Sequence, residues 1–128
     1  MPVVDHGSLP EFPMRPGITG KWICSRERGA SDVGVLANTV QPGCGAPLHR
    51  HDYEEVILVE AGKIWVEMNK GPRLTATPGQ CVIIPANAPH SWGNEGPEVL
   101  RVLFVWNSPE PFAPGKSTYL EGAPPITS

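Results

Sequence analysis

Four histidines occur in the chain, and three of them stand where they could meet. His49 and His51 are two residues apart. Alternate side chains of a strand share a face, so both imidazoles can address one ion. Glu55 follows with the same parity, and the turn-like Asp52-Tyr53 between them frees the geometry from an ideal strand. His90 lies 35 residues beyond Glu55, after the proline-bounded corner Pro85–Pro89, and has to arrive on another strand. Three neutral imidazoles and one carboxylate suit one divalent transition metal ion: iron, manganese, nickel, zinc, copper or cobalt. On an octahedral ion four protein ligands leave two positions open, and open positions make a metal site catalytic. His6 matches no such arrangement.

A histidine pair at this spacing is common in surface loops. The surrounding glycines are what single this one out. Gly43, five residues, His49, one, His51, three, Glu55, six, Gly62 forms one fixed pattern; Gly79, five, Pro85, four, His90, three, Asn94 forms a second. Together they resemble the two signature motifs of the cupin superfamily, the first at all five positions. The second departs once, with Asn87 where the family has glycine; asparagine tolerates positive φ, so the turn can survive. The 16 residues between Gly62 and Gly79 resemble the spacing of small bacterial single-domain members. The resemblance implies a double-stranded β-helix, a jelly-roll barrel of six to eight strands. It also implies a divalent metal held by His49, His51, Glu55 and His90, and a homodimer.

The elements that must position these residues read as short strands. Ile18–Cys24, Val33–Gln41 and Lys63–Asn69 alternate; Val56–Val59 and Cys81–Ile84 read as buried runs; His90–Trp92 is short and Val99–Trp106 long. Pro42-Gly43, Ala61-Gly62, Lys70-Gly71-Pro72 and Pro78-Gly79 are the turns between them. Eight or nine strands at this spacing predict an all-β barrel or sandwich. The organisation expected is an extended arm over residues 1–17, a barrel over 18–107 and a proline-rich tail over 108–128. The arms are expected to cover sheet edges, in the chain itself or across a dimer.

Composition agrees. Glycine and proline number 14 and 16 of 128 residues, which leaves few windows for a long helix. The net charge of −3 gives no phosphate-binding footprint, so no nucleic-acid partner is expected. No apolar run is long enough to span a bilayer, so no membrane partner is expected either. Cys24, Cys44 and Cys81 lack zinc or disulfide spacing and read as reduced, packed thiols of a cytoplasmic protein.

Three further residues are pocket candidates. Trp92 shares parity with His90, Tyr53 lies between His51 and Glu55, and Arg101 could pair with a substrate carboxylate if its face is inward. A divalent ion with one carboxylate keeps net positive charge, which favours a small oxygen-chelating organic substrate. The chemistry expected is that of a metal-dependent enzyme, with a dioxygenase first and a Lewis-acid isomerase, lyase or decarboxylase second. A module that binds a sugar or organic acid without turnover is the alternative. The small cupin lyases that act on sulfonium propionates have a tyrosine where Val56 and Ile57 stand here, which argues against that activity.

Overall fold

The computed structural model describes residues 3–128. Eleven strands follow one another: β1 (Phe12–Arg15), β2 (Ile18–Cys24), β3 (Gly34–Val40), β4 (Gly45–His51), β5 (Glu55–Ala61), β6 (Ile64–Met68), β7 (Leu74–Ala76), β8 (Cys81–Ile84), β9 (His90–Gly93), β10 (Leu100–Trp106) and β11 (Ser117–Tyr119). They form two antiparallel sheets, one in the order β1-β2-β3-β10-β5-β8 and the other β11-β4-β9-β6-β7. The architecture is an all-β jelly-roll. Among the described residues no helix is long and apolar enough to cross a membrane.

Period-two alternation decides which side chains meet between the sheets. In β10, Leu100, Val102, Phe104 and Trp106 point inward. In β3 the inward set is Leu36, Asn38 and Val40, and in β6 it is Ile64 and Val66. Burial of these branched and aromatic groups supplies the main folding force. In β5 the inward set is Glu55, Ile57 and Val59, so a carboxylate sits on the core face. Val56–Val59 is therefore an alternating strand: Leu58 faces outward and is exposed.

The count exceeds the eight or nine strands expected because the regions read as arms also pair. Residues 12–15 add β1 to the edge of β2, and residues 117–119 add β11 to the edge of β4. Proline-rich sequence hides such short edge strands, which need few ladder hydrogen bonds. The tail then crosses to the N-terminal region, where Ile126 N–H donates to the Met14 carbonyl (3.0 Å) and Trp22 Nε1 to the Thr127 carbonyl (2.8 Å). Cys24 and Cys44 are half-buried free thiols. Cys81, expected in the core, is exposed on edge strand β8, whose inward positions are Val82 and Ile84.

Candidate metal centre

The phase of β4 is set by an irregularity. Ala46 pairs with Trp92 and His49 with His90, so β4 spends one more residue than β9 between these points. A bulge of this kind rephases a strand. Ala46 faces inward before it, and His49 and His51 face inward after it, with Arg50 turned to solvent. An unbroken strand would have aimed Leu48 and Arg50 at the core instead.

His90 opens β9 directly opposite His49. The corner before it turns through Asn87 at φ 66°, the left-handed conformation expected of this residue, and Asn87 N–H donates to the His51 carbonyl at 2.7 Å. Glu55 comes from the other sheet. The chain leaves β4 at His51, crosses the barrel through residues 52–54 and enters β5 at Glu55. Glu55 thus reaches the histidines by a change of sheet, where shared parity along one strand would not have brought it.

The three imidazoles converge. Ring centroids lie 4.3 Å apart for His49 and His90, 4.8 Å for His49 and His51, and 5.0 Å for His51 and His90. One ligand atom from each lies within 4.8 Å of the others, and all three residues are buried. Every Nδ1 is already engaged: His49 with the Pro47 carbonyl (2.6 Å), His90 with the Ala88 carbonyl (2.9 Å) and His51 with Ser117 Oγ (3.1 Å). This leaves Nε2 as the free edge of each ring. His51 Nε2 and His90 Nε2 approach the two Glu55 oxygens at 3.3 Å. The approach is off-line, however, and His51 Nε2, His90 Nε2 and Glu55 Oε2 have no hydrogen-bond partner. Buried polar atoms without partners are costly. Three imidazoles and one carboxylate, pre-oriented and with two ring nitrogens and one carboxylate oxygen unsatisfied, fit a divalent transition metal ion.

The electrostatics suit the same ion. Burial, with His90 next, lowers the His49 pKa from 6.5 to about 3, so this ring is neutral and able to ligate. Burial would raise the Glu55 carboxyl, but the adjoining His51 and His90 outweigh it and hold it well below the usual carboxylate range. Burial pulls the His90 imidazole down, while Glu55 beside it lifts it to a net rise. Outer partners fix these side chains: Trp106 Nε1 donates to Glu55 Oε1 at 2.7 Å, and Tyr119 stacks on His49 with ring centroids 5.1 Å apart. Such contacts orient metal ligands and tune their basicity.

The centre opens on a cavity of ≈ 20 Å³, room for about one water. Its wall is largely apolar and aromatic and includes Trp92, Phe104 and Phe112. Trp92 is thus at the cavity. Tyr53 is not among the lining residues: it is buried with its ring stacked on His51 (4.7 Å), and its hydroxyl donates to the Pro111 carbonyl at 2.7 Å. Burial pushes that phenol far above its ordinary value. Arg101 points away, because β10 alternation puts it on the outer face of its sheet, in a surface groove with Glu60 and Lys21. Sequence reasoning missed Arg15, Asn38, Trp106, Ser117 and Tyr119. Trp106 shares parity with Phe104, but nothing local marks any of the five as a neighbour of the histidines.

Residues 38–106 match the family model described as Cupin domain. Over 92 residues the chain is 34% identical to Auxin-binding protein 4 of Zea mays, across 63% of this chain and 44% of that protein. A match to Auxin-binding protein 1 of Arabidopsis thaliana is 29% identical over 104 residues, 74% of this chain and 52% of the other. The chain therefore spans about half the length of the curated relatives it matches. Among solved structures, the polyketide cyclase RemF of Streptomyces resistomycificus superposes with a TM-score of 0.81 at 20% identity, covering 96% of this chain and 87% of that one. These likenesses to solved structures establish the fold alone.

Proposed function

This chain belongs to the cupin family, and from that premise we propose that it is a metal-dependent enzyme acting on a small oxygen-chelating organic substrate, with dioxygenase-type chemistry. The observation that carries this reading is the set of unsatisfied His51 Nε2, His90 Nε2 and Glu55 Oε2 atoms converging beside His49, next to the cavity that His49, His51 and Glu55 line. His49, His51, Glu55 and His90 would hold the ion. When bound, a redox-active ion supplies electron transfer between an electron-rich chelated substrate and dioxygen.

The chain's own residues supply the rest. Glu55 contributes the one ligand charge, and Trp106 holds its Oε1 in place. The wall around Phe104, Trp92 and Phe112 excludes water and strengthens charge interactions inside. Lewis-acid isomerisation or elimination needs an added base to take a carbon-bound proton. Beyond His49, His51 and Glu55, the lining residues include no histidine or carboxylate. Tyr119 lines the cavity, but burial raises its phenol above the ordinary value, which makes it a poor base near neutrality. This favours oxygen chemistry over Lewis-acid chemistry.

Binding of a small organic acid without turnover is the second reading; the auxin-binding names of the curated relatives favour it. Oxygen-electrode assays on iron-reconstituted protein with catechol and enediol substrates separate the two. Substrate-dependent oxygen uptake that is lost in His90→Ala supports the enzyme. Tight binding without oxygen uptake or conversion under any metal supports the binding module. We also propose a homodimer, supported by the edge strands β7 and β8 with exposed Leu74 and Ile83 on them. Light scattering after gel filtration tests it: twice the 13.8 kDa chain mass is expected.

A further inference from the structure

Two polar side chains on the cavity wall take no part in holding the metal: Arg15 and Asn38. Arg15 comes from β1, where consecutive residues should face opposite ways. Met14 and Arg15 nevertheless both line the cavity. The register of β1 on β2 slips between Pro13 and Arg15, and this bulge re-aims the arginine inward. Its guanidinium lies over the Tyr119 ring at 5.4 Å, and Tyr119 stacks on His49, so Arg15 stands one ring away from the metal ligands. Among the described residues Arg15 makes no ion pair. It donates a hydrogen bond to a neutral acceptor, the Ala123 carbonyl, at 2.8 Å. A planar guanidinium held this way keeps further donors for a carboxylate.

Asn38 is 2% exposed. Its Nδ2 is engaged by the Ala37 carbonyl (3.1 Å) and Met14 Sδ (3.4 Å), while its Oδ1 is buried without a donor. An orphan acceptor on a ligand-cavity wall is satisfied by a donor on the ligand. Charge points the same way. A divalent ion with one carboxylate ligand keeps a net charge near +1, and Arg15 adds another on an otherwise apolar wall.

We infer that Arg15 and Asn38 set the specificity of the cavity: the substrate is a small organic acid whose vicinal oxygen pair chelates the metal after losing one proton, whose carboxylate pairs with Arg15, and whose chelating oxygen that keeps its proton donates to Asn38 Oδ1. This rests on the chelating-substrate reading above. The carboxylate takes the guanidinium donors that the Ala123 carbonyl leaves free, and its entry requires the tail to move and enlarge a cavity that otherwise has room for about one water.

The test uses zinc-loaded protein, which avoids redox turnover, and calorimetric titration with 3,4-dihydroxyphenylacetate and 4-methylcatechol. The two share the chelating pair and differ in the carboxylate. Wild type is expected to bind the acid about 10-fold or more tightly than the methylcatechol. Arg15→Gln should erase that preference and leave 4-methylcatechol affinity unchanged. Arg15→Lys, which keeps the charge and loses the fork, should retain part of it. Asn38→Leu should weaken both probes by about 3- to 10-fold. Zinc content and circular dichroism equal to wild type show that the variants fold and load. Equal affinity of wild type for the two probes, or an Arg15→Gln that weakens both alike, overturns the inference and leaves the chelation reading standing. Failure of both probes to bind the zinc-loaded wild type overturns the chelation reading and the inference with it.

Discussion

Glu55 is a carboxylate on the core face of β5, ionised because His51 and His90 stand against it and held by Trp106. The arrangement has a sign in pH. In the metal-free protein His49 titrates at about 3 when folded and at its ordinary 6.5 when unfolded. Between those values the unfolded state binds the extra proton, so stability falls as pH drops from 6.5 toward 3. Glu55, also held low, adds a loss in the same direction below the ordinary carboxylate value. His90, held high, works oppositely: its contribution is full below 6.5 and is lost as pH rises through its folded value. Thermal melts of chelator-treated protein should therefore show Tm decreasing from pH 6.5 to pH 4. A Tm that rises over that interval contradicts the assignment of His49 as a buried neutral ring.

Among the elements, a turn and a tail place the candidate ligands. Asn87 sits at φ 66° in the corner that delivers His90. Asn87→Gly should be tolerated or slightly stabilising, whereas Asn87→Val should cost about 1–2 kcal/mol because a β-branched residue is strained there. Chemical denaturation compares the two, and equal stabilities would show that the corner does not depend on this conformation. Strand β11 supplies Ser117 Oγ to His51 Nδ1. Ser117→Ala should lower metal affinity about 10-fold with the fold intact, as loss of an outer partner does; competition against a chromogenic chelator reads it. The candidate ligands His49, His51, Glu55 and His90, and the corner at Asn87, were legible in the sequence because their spacing to the flanking turn glycines and Pro85 makes two motifs that resemble those of cupins. Trp106, Ser117, Tyr119, Arg15 and Asn38 were not, because their contacts come from pairings across the sheets and from bulges that change side-chain phase. The β4 bulge illustrates the point: alternation alone would read Ala46, Leu48 and Arg50 as one face. Arg101 was a fair candidate by type, but the inward phase of β10 belongs to Leu100, Val102, Phe104 and Trp106.

At the scale of the whole molecule, the centre ties the two sheets together. The three histidines belong to the five-stranded sheet and Glu55 to the six-stranded one. An ion held by all four bridges the sandwich and binds only the folded chain. Metal should then stabilise by mass action, by about 2.7 kcal/mol at 100 times Kd. Differential scanning calorimetry should show Tm rising with added metal in wild type and not in His49→Ala. The tail acts on the same scale. Residues 117–127 run from β4 across to Met14, Arg15 and Trp22, so the N- and C-terminal segments close one end of the barrel over the cavity.

His49, His51, Glu55 and His90 are proposed to hold one divalent transition metal ion. Elemental analysis by ICP-MS of tag-free protein, purified without chelators, decides this, with His49→Ala and His90→Ala alongside. Wild type should carry close to one equivalent of iron, manganese, nickel, zinc, copper or cobalt. Both variants should lose most of it, with β-sheet circular dichroism unchanged. Wild-type protein that stays metal-free after reconstitution, or metal retained in both variants, would contradict the proposal.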